Sequence, residues 1–176
     1  MRLTHVVLVA VLVPATATAD VLLTPFVGRS AASSGMDTAT HVGVALGWTS
    51  ASGIGVEGEF SNISKPFPAP LGDGGGNFVR TVMGNLVFGR RVGPLVPYVA
   101  GGLGLLTINY GTFINDPRHN VAFNAGGGVR VGSGRLSVRA DLRYFRTLTE
   151  QENVFFPTNP PAFDYWRTAI GVTLGF

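Results

Sequence analysis

The feature that most constrains this chain is an apolar alternation of period two that recurs along its length. It is plainest in residues 165–176, YWRTAIGVTLGF, where Trp166, Ile170, Val172, Leu174 and Phe176 share one parity. The residues between them, Arg167, Ala169, Gly171, Thr173 and Gly175, are small or polar. Residues 135–145, RLSVRADLRYF, repeat the pattern: Leu136, Val138, Ala140, Leu142 and Tyr144 alternate with Ser137, Arg139, Asp141 and Arg143. Successive side chains of a strand point to opposite faces, so each segment reads as a strand with one apolar face and one small or polar face. No stretch sustains a 3.6-residue apolar period, which argues against a helical architecture.

Strands are expected near residues 20–29, 39–50, 53–63, 77–89, 96–110, 120–132, 135–147 and 163–176. Their connections alternate in length. Short ones lie at 49–53, 90–95 and 132–134, and long polar or Gly/Pro-rich ones at 29–38, 64–76, 111–119 and 148–162. Short turns at one end and long loops at the other describe an up-and-down barrel. The expected fold is therefore an all-β, eight-stranded antiparallel barrel with both termini on the short-turn side.

Composition decides how such a barrel meets its solvent. Only 13% of the 176 residues are charged, about half the fraction usual in soluble domains. The cationic charge rests on Arg, with Lys65 the single lysine, and no basic run concentrates it, so nucleic-acid binding is not expected. Without cysteine there is no disulfide framework and no thiolate metal site. The N-terminus, MRLTHVVLVAVLVPATATAD, places Arg2 before an apolar run from Val6 to Val13 and then Ala17-Thr18-Ala19. That order is the pattern of a secretory signal peptide, cleaved before Asp20, and the run is too short to span a bilayer as a helix. Residues 1–19 are thus expected to be the export signal and residues 20–176 the barrel domain.

Alternation alone allows a soluble barrel with its apolar face inward. Aromatic placement argues for the inverse. Threaded up and down, Trp48, Phe88, Tyr98 and Phe176 fall at the short-turn end, and Phe60, Tyr110, Tyr144 and Trp166 at the long-loop end. Two such belts suit membrane interfaces, where these rings sit at headgroup level. The ten steps from Trp166 to Phe176 cover roughly 25 Å along the membrane normal, which matches the apolar band of transmembrane barrels.

The segments PYVAGGLGL (97–105), FNAGGGVRV (123–131), LSVRADLRYFR (136–146) and the closing WRTAIGVTLGF give the chain, from Asp20 to Phe176, a resemblance to the small outer-membrane β-barrel superfamily of the OmpA and OmpX type. The resemblance implies an eight-stranded transmembrane barrel in a Gram-negative outer membrane, reached through the periplasm. It also implies that Phe176 belongs to the signal read by the barrel-assembly machinery. Outer-membrane lipid and lipopolysaccharide are the expected surroundings, and a monomer the expected state. The peptidoglycan-binding domain of full-length OmpA-type proteins has no counterpart in this sequence.

With the apolar face outward, charges must face the lumen. Glu57 and Glu59 share one face of their strand, and Arg139, Asp141 and Arg143 share one face of another. Arg130 and Arg167 fall on the matching parity of neighbouring strands, with Asn85 and Asn124 also interior. An eight-stranded barrel is filled by side chains, so these charges must pair. A cluster of this kind can be a gated ion path or a set of catalytic carboxylates; a structural salt-bridge plug is the expectation adopted.

GIGVEG at 53–58 matches the dinucleotide fingerprint in letters, but it comes after a turn and continues as a strand. Its glycines, with Gly101, Gly102, Gly104 and Gly126–Gly128, are expected to ease a crowded lumen. His5, His41 and His119 show no ligand spacing, and no His-x-Ser pair marks a strand, so no metal, cofactor or catalytic site is expected. A lipid-modifying outer-membrane enzyme and a secreted lipocalin-like ligand-binding barrel remain as alternatives. Phe67, Phe155, Phe156 and Phe163 in the long connections either bind an unidentified ligand, fold over the barrel mouth, or meet lipopolysaccharide.

Overall fold

A computed structural model of the protein describes residues 20–32, 37–67, 77–109, 117–133, 135–148 and 162–176. The expected signal peptide, Tyr110, Phe155 and Phe156 lie outside these residues. Alternating segments favour pairing with their neighbours in sequence, and here every one does so. The strands are β1 (Asp20–Ala32), β2 (Ala39–Thr49), β3 (Ile54–Ser64), β4 (Phe78–Gly89), β5 (Leu95–Asn109), β6 (Arg118–Ser133), β7 (Leu136–Thr147) and β8 (Asp164–Gly175). Each pairs antiparallel with the next, and β8 pairs with β1 to close the barrel. Closure removes the free sheet edges, so the strands pair within the chain, with a gap in the β1–β8 register at Thr24 and Pro25, where proline has no N–H to donate. The last residue completes the seam, with the Phe176 amide donating to the Val21 carbonyl at 3.0 Å.

Antiparallel partners share a face, and register therefore assigns every residue to the lumen or to the outer wall. Val27 pairs Val42 outside, whereas Gly28 pairs His41, His41 pairs Ile63 and Ile63 pairs Val79 inside. The result inverts a soluble protein. Among the described residues, 27 large apolar side chains stand exposed, while the buried set holds 16 polar or charged residues and only 12 apolar ones. Soluble monomers rarely expose a continuous apolar surface larger than a few hundred Å². A lipocalin-like barrel, with an apolar pocket inside and a polar wall outside, is the opposite arrangement.

Two tight turns need glycine. Gly53 has φ +87 and Gly93 has φ +61, left-handed values that side chains with a Cβ rarely adopt. Gly53 is the first residue of GIGVEG, and from it the chain runs directly into β3 rather than into a helix. Of the glycines expected in the lumen, those at 55, 102, 104, 126 and 128 lie on the inward parity, whereas Gly58, Gly101 and Gly127 lie on the outward parity of β3, β5 and β6.

The lumen is layered along its axis. Toward the long-loop end it holds an apolar cluster, with Ile63, Val79, Leu106, Phe145 and Tyr165 fully enclosed, beside buried polar residues such as Ser30, His41 and Thr81. Phe145 and Tyr165 stack with centroids 4.8 Å apart, and Phe67 and Phe163 pack over this cluster 6.2 Å from each other. Of the fates open to the loop aromatics, these two take the fold over the mouth. Below the apolar layer comes the ionic one.

Candidate functional site

Strands β3 and β7 stand four apart in an eight-stranded ring, so they face one another across the lumen. Glu57 and Glu59 point inward from β3, and Arg139, Asp141 and Arg143 point inward from β7 at alternate positions. Arg167 joins from β8, where it pairs directly with Arg143 in the register. Three guanidinium groups thus meet three carboxylates in a small volume. Arg143 donates to Glu57 at 2.8 Å and to Asp141 at 3.0 Å, and its second terminal nitrogen lies 3.4 Å from Glu59. Arg167 grips Glu59 with both terminal nitrogens, one of them at 2.8 Å. Arg139 binds Glu57 across the barrel and Asp141 at 3.0 Å on its own strand.

The network is charge-balanced and largely enclosed, open where Glu57 and Arg139 border the short-turn cavity. Arg143 and Arg167 are essentially inaccessible, and both glutamates are buried. Isolated, each of these charges would cost several kcal/mol, and mutual pairing makes the layer tolerable, although Arg143 Nη1 and Arg167 Nε are buried without a hydrogen-bond partner among the described residues. Amides complete it: Asn85 donates to Glu57 at 3.1 Å, and Asn124 donates to Asn85 at 2.7 Å. Arg167 also lies over the rings of Phe26 and Phe145, 4.9 and 4.8 Å from their centroids. A Cβ at Gly126 would collide with the Leu142 carbonyl and the Arg143 side chain, so the absent side chain there makes room for Arg143.

Two residues depart from expectation. Tyr98, expected on the outer belt, faces the lumen. Its neighbours Val96 and Val99 are apolar on both parities, so local pattern does not orient it. Register does: Tyr98 pairs with Gly89 on one side and Gly128 on the other, and these leave space for the ring inside. Its hydroxyl then donates to Asp141 at 2.6 Å and accepts from Arg139 Nε at 2.7 Å. Arg130 faces inward as expected but contacts none of the three network carboxylates. It lies nearer the short-turn mouth, directly opposite Arg139 on the neighbouring strand.

The other belt residues lie on the outer wall. Trp48, Phe88 and Phe176 face out near the short turns, and Phe60, Tyr144 and Trp166 near the long loops. Tyr144 packs on Trp166 at 5.2 Å and on Phe123 at 6.2 Å. Phe123 and Phe78, the latter beneath the guanidinium of Arg80 at 4.2 Å, extend the long-loop belt and were not expected there. Their parity carried the signal, since each falls in step with outward aliphatic residues of its strand.

One nucleophile–base contact is not legible in the sequence because its members are on adjacent strands. Ser30 and His41 lie 3.1 Å apart, Oγ to Nδ1, and both are fully buried. His41 Nε2 has no partner among the described residues. The two do not line the cavity that opens at the short-turn end. Among the described residues, no group of three His, Cys, Asp or Glu side chains has the geometry to hold a metal ion.

No protein-family model and no curated protein sequence matches the chain. Solved structures do resemble it. Neisserial surface protein A superposes with a TM-score of 0.65 at 13% identity, over 90% of this chain and 97% of that one. The N-terminal β-barrel domain of Pseudomonas aeruginosa OprF gives 0.60 at 15% identity, over 89% and 97%. The Yersinia pestis attachment invasion locus protein, Ail, gives 0.57 at 15% identity, over 92% and 100%. At such identities the likeness is one of fold: the eight-stranded antiparallel barrel of small outer-membrane proteins.

Proposed function

We propose that this chain is an integral outer-membrane barrel that acts as a structural and surface-interaction protein and not as a catalyst. The observation that carries the reading is the inversion of its faces. An aliphatic wall framed by two aromatic belts suits a lipid solvent, and a closed barrel satisfies every backbone group without water. The ionic layer then serves as a plug that holds the wall in shape. Short turns would face the periplasm and the longer connections the exterior, where they meet lipopolysaccharide and any partner.

Membrane fractionation followed by gel electrophoresis with and without boiling tests this. The expected result is outer-membrane recovery and a folded band that shifts on heating. Recovery of folded protein in the detergent-free soluble fraction would overturn it. Lipid A mass spectra, with and without expression, are expected to be identical; a lost or added acyl chain would make the protein an enzyme.

A further inference from the structure

Beneath the ionic plug, at the short-turn end, the lumen opens into a cavity of about 230 Å³. Its floor is the underside of the plug, with Arg139, Tyr98 and Glu57. A second recess of about 340 Å³ adjoins it and shares Asp20, Arg91 and Arg130, adding Arg135. The charges of this mouth do not balance. Arg90, Arg91, Arg130 and Arg135 surround it, with Asp20 the one side-chain carboxylate beside them among the described lining residues, since Glu57 is engaged by Arg139 and Arg143. None of those four arginines makes an ion pair among the described residues, whereas every arginine of the plug makes at least two.

Arg130 is the telling member. It is partly enclosed by the barrel wall, and its cross-strand partner is another arginine, Arg139. Like charges placed directly opposite on a sheet destabilise it. Arg139 is compensated by Glu57 and Asp141, and Arg130 has no comparable partner. A concave, partly desolvated site with surplus guanidinium groups favours a multivalent oxyanion, because each planar fork can present two parallel donors to it.

We propose that the short-turn mouth binds a small phosphate-type anion, held by Arg130 within the lumen and by Arg91 and Arg135 at the rim. The shared chemistry admits two sources, a free phosphate compound or the phosphate of a lipid headgroup.

Calorimetric titration of the folded barrel in maltoside micelles with inorganic pyrophosphate tests the site. One saturable binding event is expected, weakening with salt. R130Q should reduce affinity about tenfold or more, since a hydrogen bond to a charged group is worth about 1.5–3 kcal/mol. R91Q/R135Q should do likewise, and R146Q, on the outer wall at the other end, should leave binding unchanged. R130Q removes a like-charge contact, so its heat-shifted gel band should persist, and pyrophosphate should raise the unfolding midpoint of the parent but not of R130Q. In a second arm, nanodiscs containing phosphatidylglycerol are examined by native mass spectrometry. Lipid retained through Arg130, without pyrophosphate binding, would assign the site to a headgroup phosphate. Absence of both, or binding equal in R130Q and the parent, overturns the proposal.

Discussion

The pair that spans the lumen, Glu57 and Arg139, allows the plug to be tested quantitatively. Glu57 accepts hydrogen bonds from Arg139, Arg143 and Asn85, and its side chain is 5% exposed, against 13% for Arg139. Glu57→Gln keeps the shape but leaves three guanidinium groups facing two carboxylates. One face of the new amide is itself a donor and must point at an arginine. Stranding a buried charge in this way costs about 3–5 kcal/mol. Arg139→Gln should cost less, because Arg139 borders the mouth cavity, where water can reach the remaining carboxylate. The double variant E57Q/R139Q restores neutrality, leaving Arg143 and Arg167 to share Glu59 and Asp141. Its loss should therefore fall short of the sum of the single losses. Unfolding by urea from lipid vesicles, followed through the two tryptophans Trp48 and Trp166 and by gel migration, measures all four corners of the cycle. Additivity within about 0.5 kcal/mol would mean the two side chains are uncoupled. That outcome would refute the plug, and with it the inward assignment of β3 and β7.

Gly128→Ala should destabilise the barrel by about 1–3 kcal/mol, because its Cβ would run into the Ala140 carbonyl and the Tyr98 ring. Gly58→Ala, where the nearest atom would be 4.0 Å away, should stay within about 0.5 kcal/mol on the same urea curves. Tyr98→Phe deletes the hydroxyl between Asp141 and Arg139 and should cost about 1.5–3 kcal/mol; a neutral effect would return Tyr98 to the outer wall. Deleting Phe176 should barely alter refolding of purified protein into vesicles, since even a charge at that depth costs about 0–1 kcal/mol. The same deletion should sharply lower the yield in the cellular outer membrane if the terminal aromatic is an assembly signal. Equal yields in cells would make it incidental.

Much of the architecture was legible because period two is a local property. A strand must alternate its side chains, so Leu136 to Tyr144 and Trp166 to Phe176 declared their faces without reference to any partner. Turn length was set by composition in the same way, and so the strand count and order were readable. Which of two faces looks outward was read from the aromatic residues at the two ends of the wall, such as Trp48, Phe60, Tyr144 and Trp166; Glu57, Glu59, Asp141, Arg139, Arg143 and Arg167 then had to pair within the lumen.

Alternation cannot carry depth or register. Tyr98 sits in a stretch apolar on both parities, and only its pairing with Gly89 and Gly128 turned it into the lumen. Arg130 shares the parity of the plug residues, yet its register opposite Arg139 puts it toward the mouth, away from their carboxylates. Phe67 and Phe163 look like loop aromatics in sequence and become a lid on the apolar layer only once Phe145 and Tyr165 stack beneath them. Ser30 and His41 meet because β1 pairs with β2. The sequence by itself determined the alternation, hence the strands and their two faces, because that depends on backbone geometry residue by residue. The tertiary structure alone decided which inward residues touch, because closing the ring brings together strands that are neighbours in space and far apart in the chain.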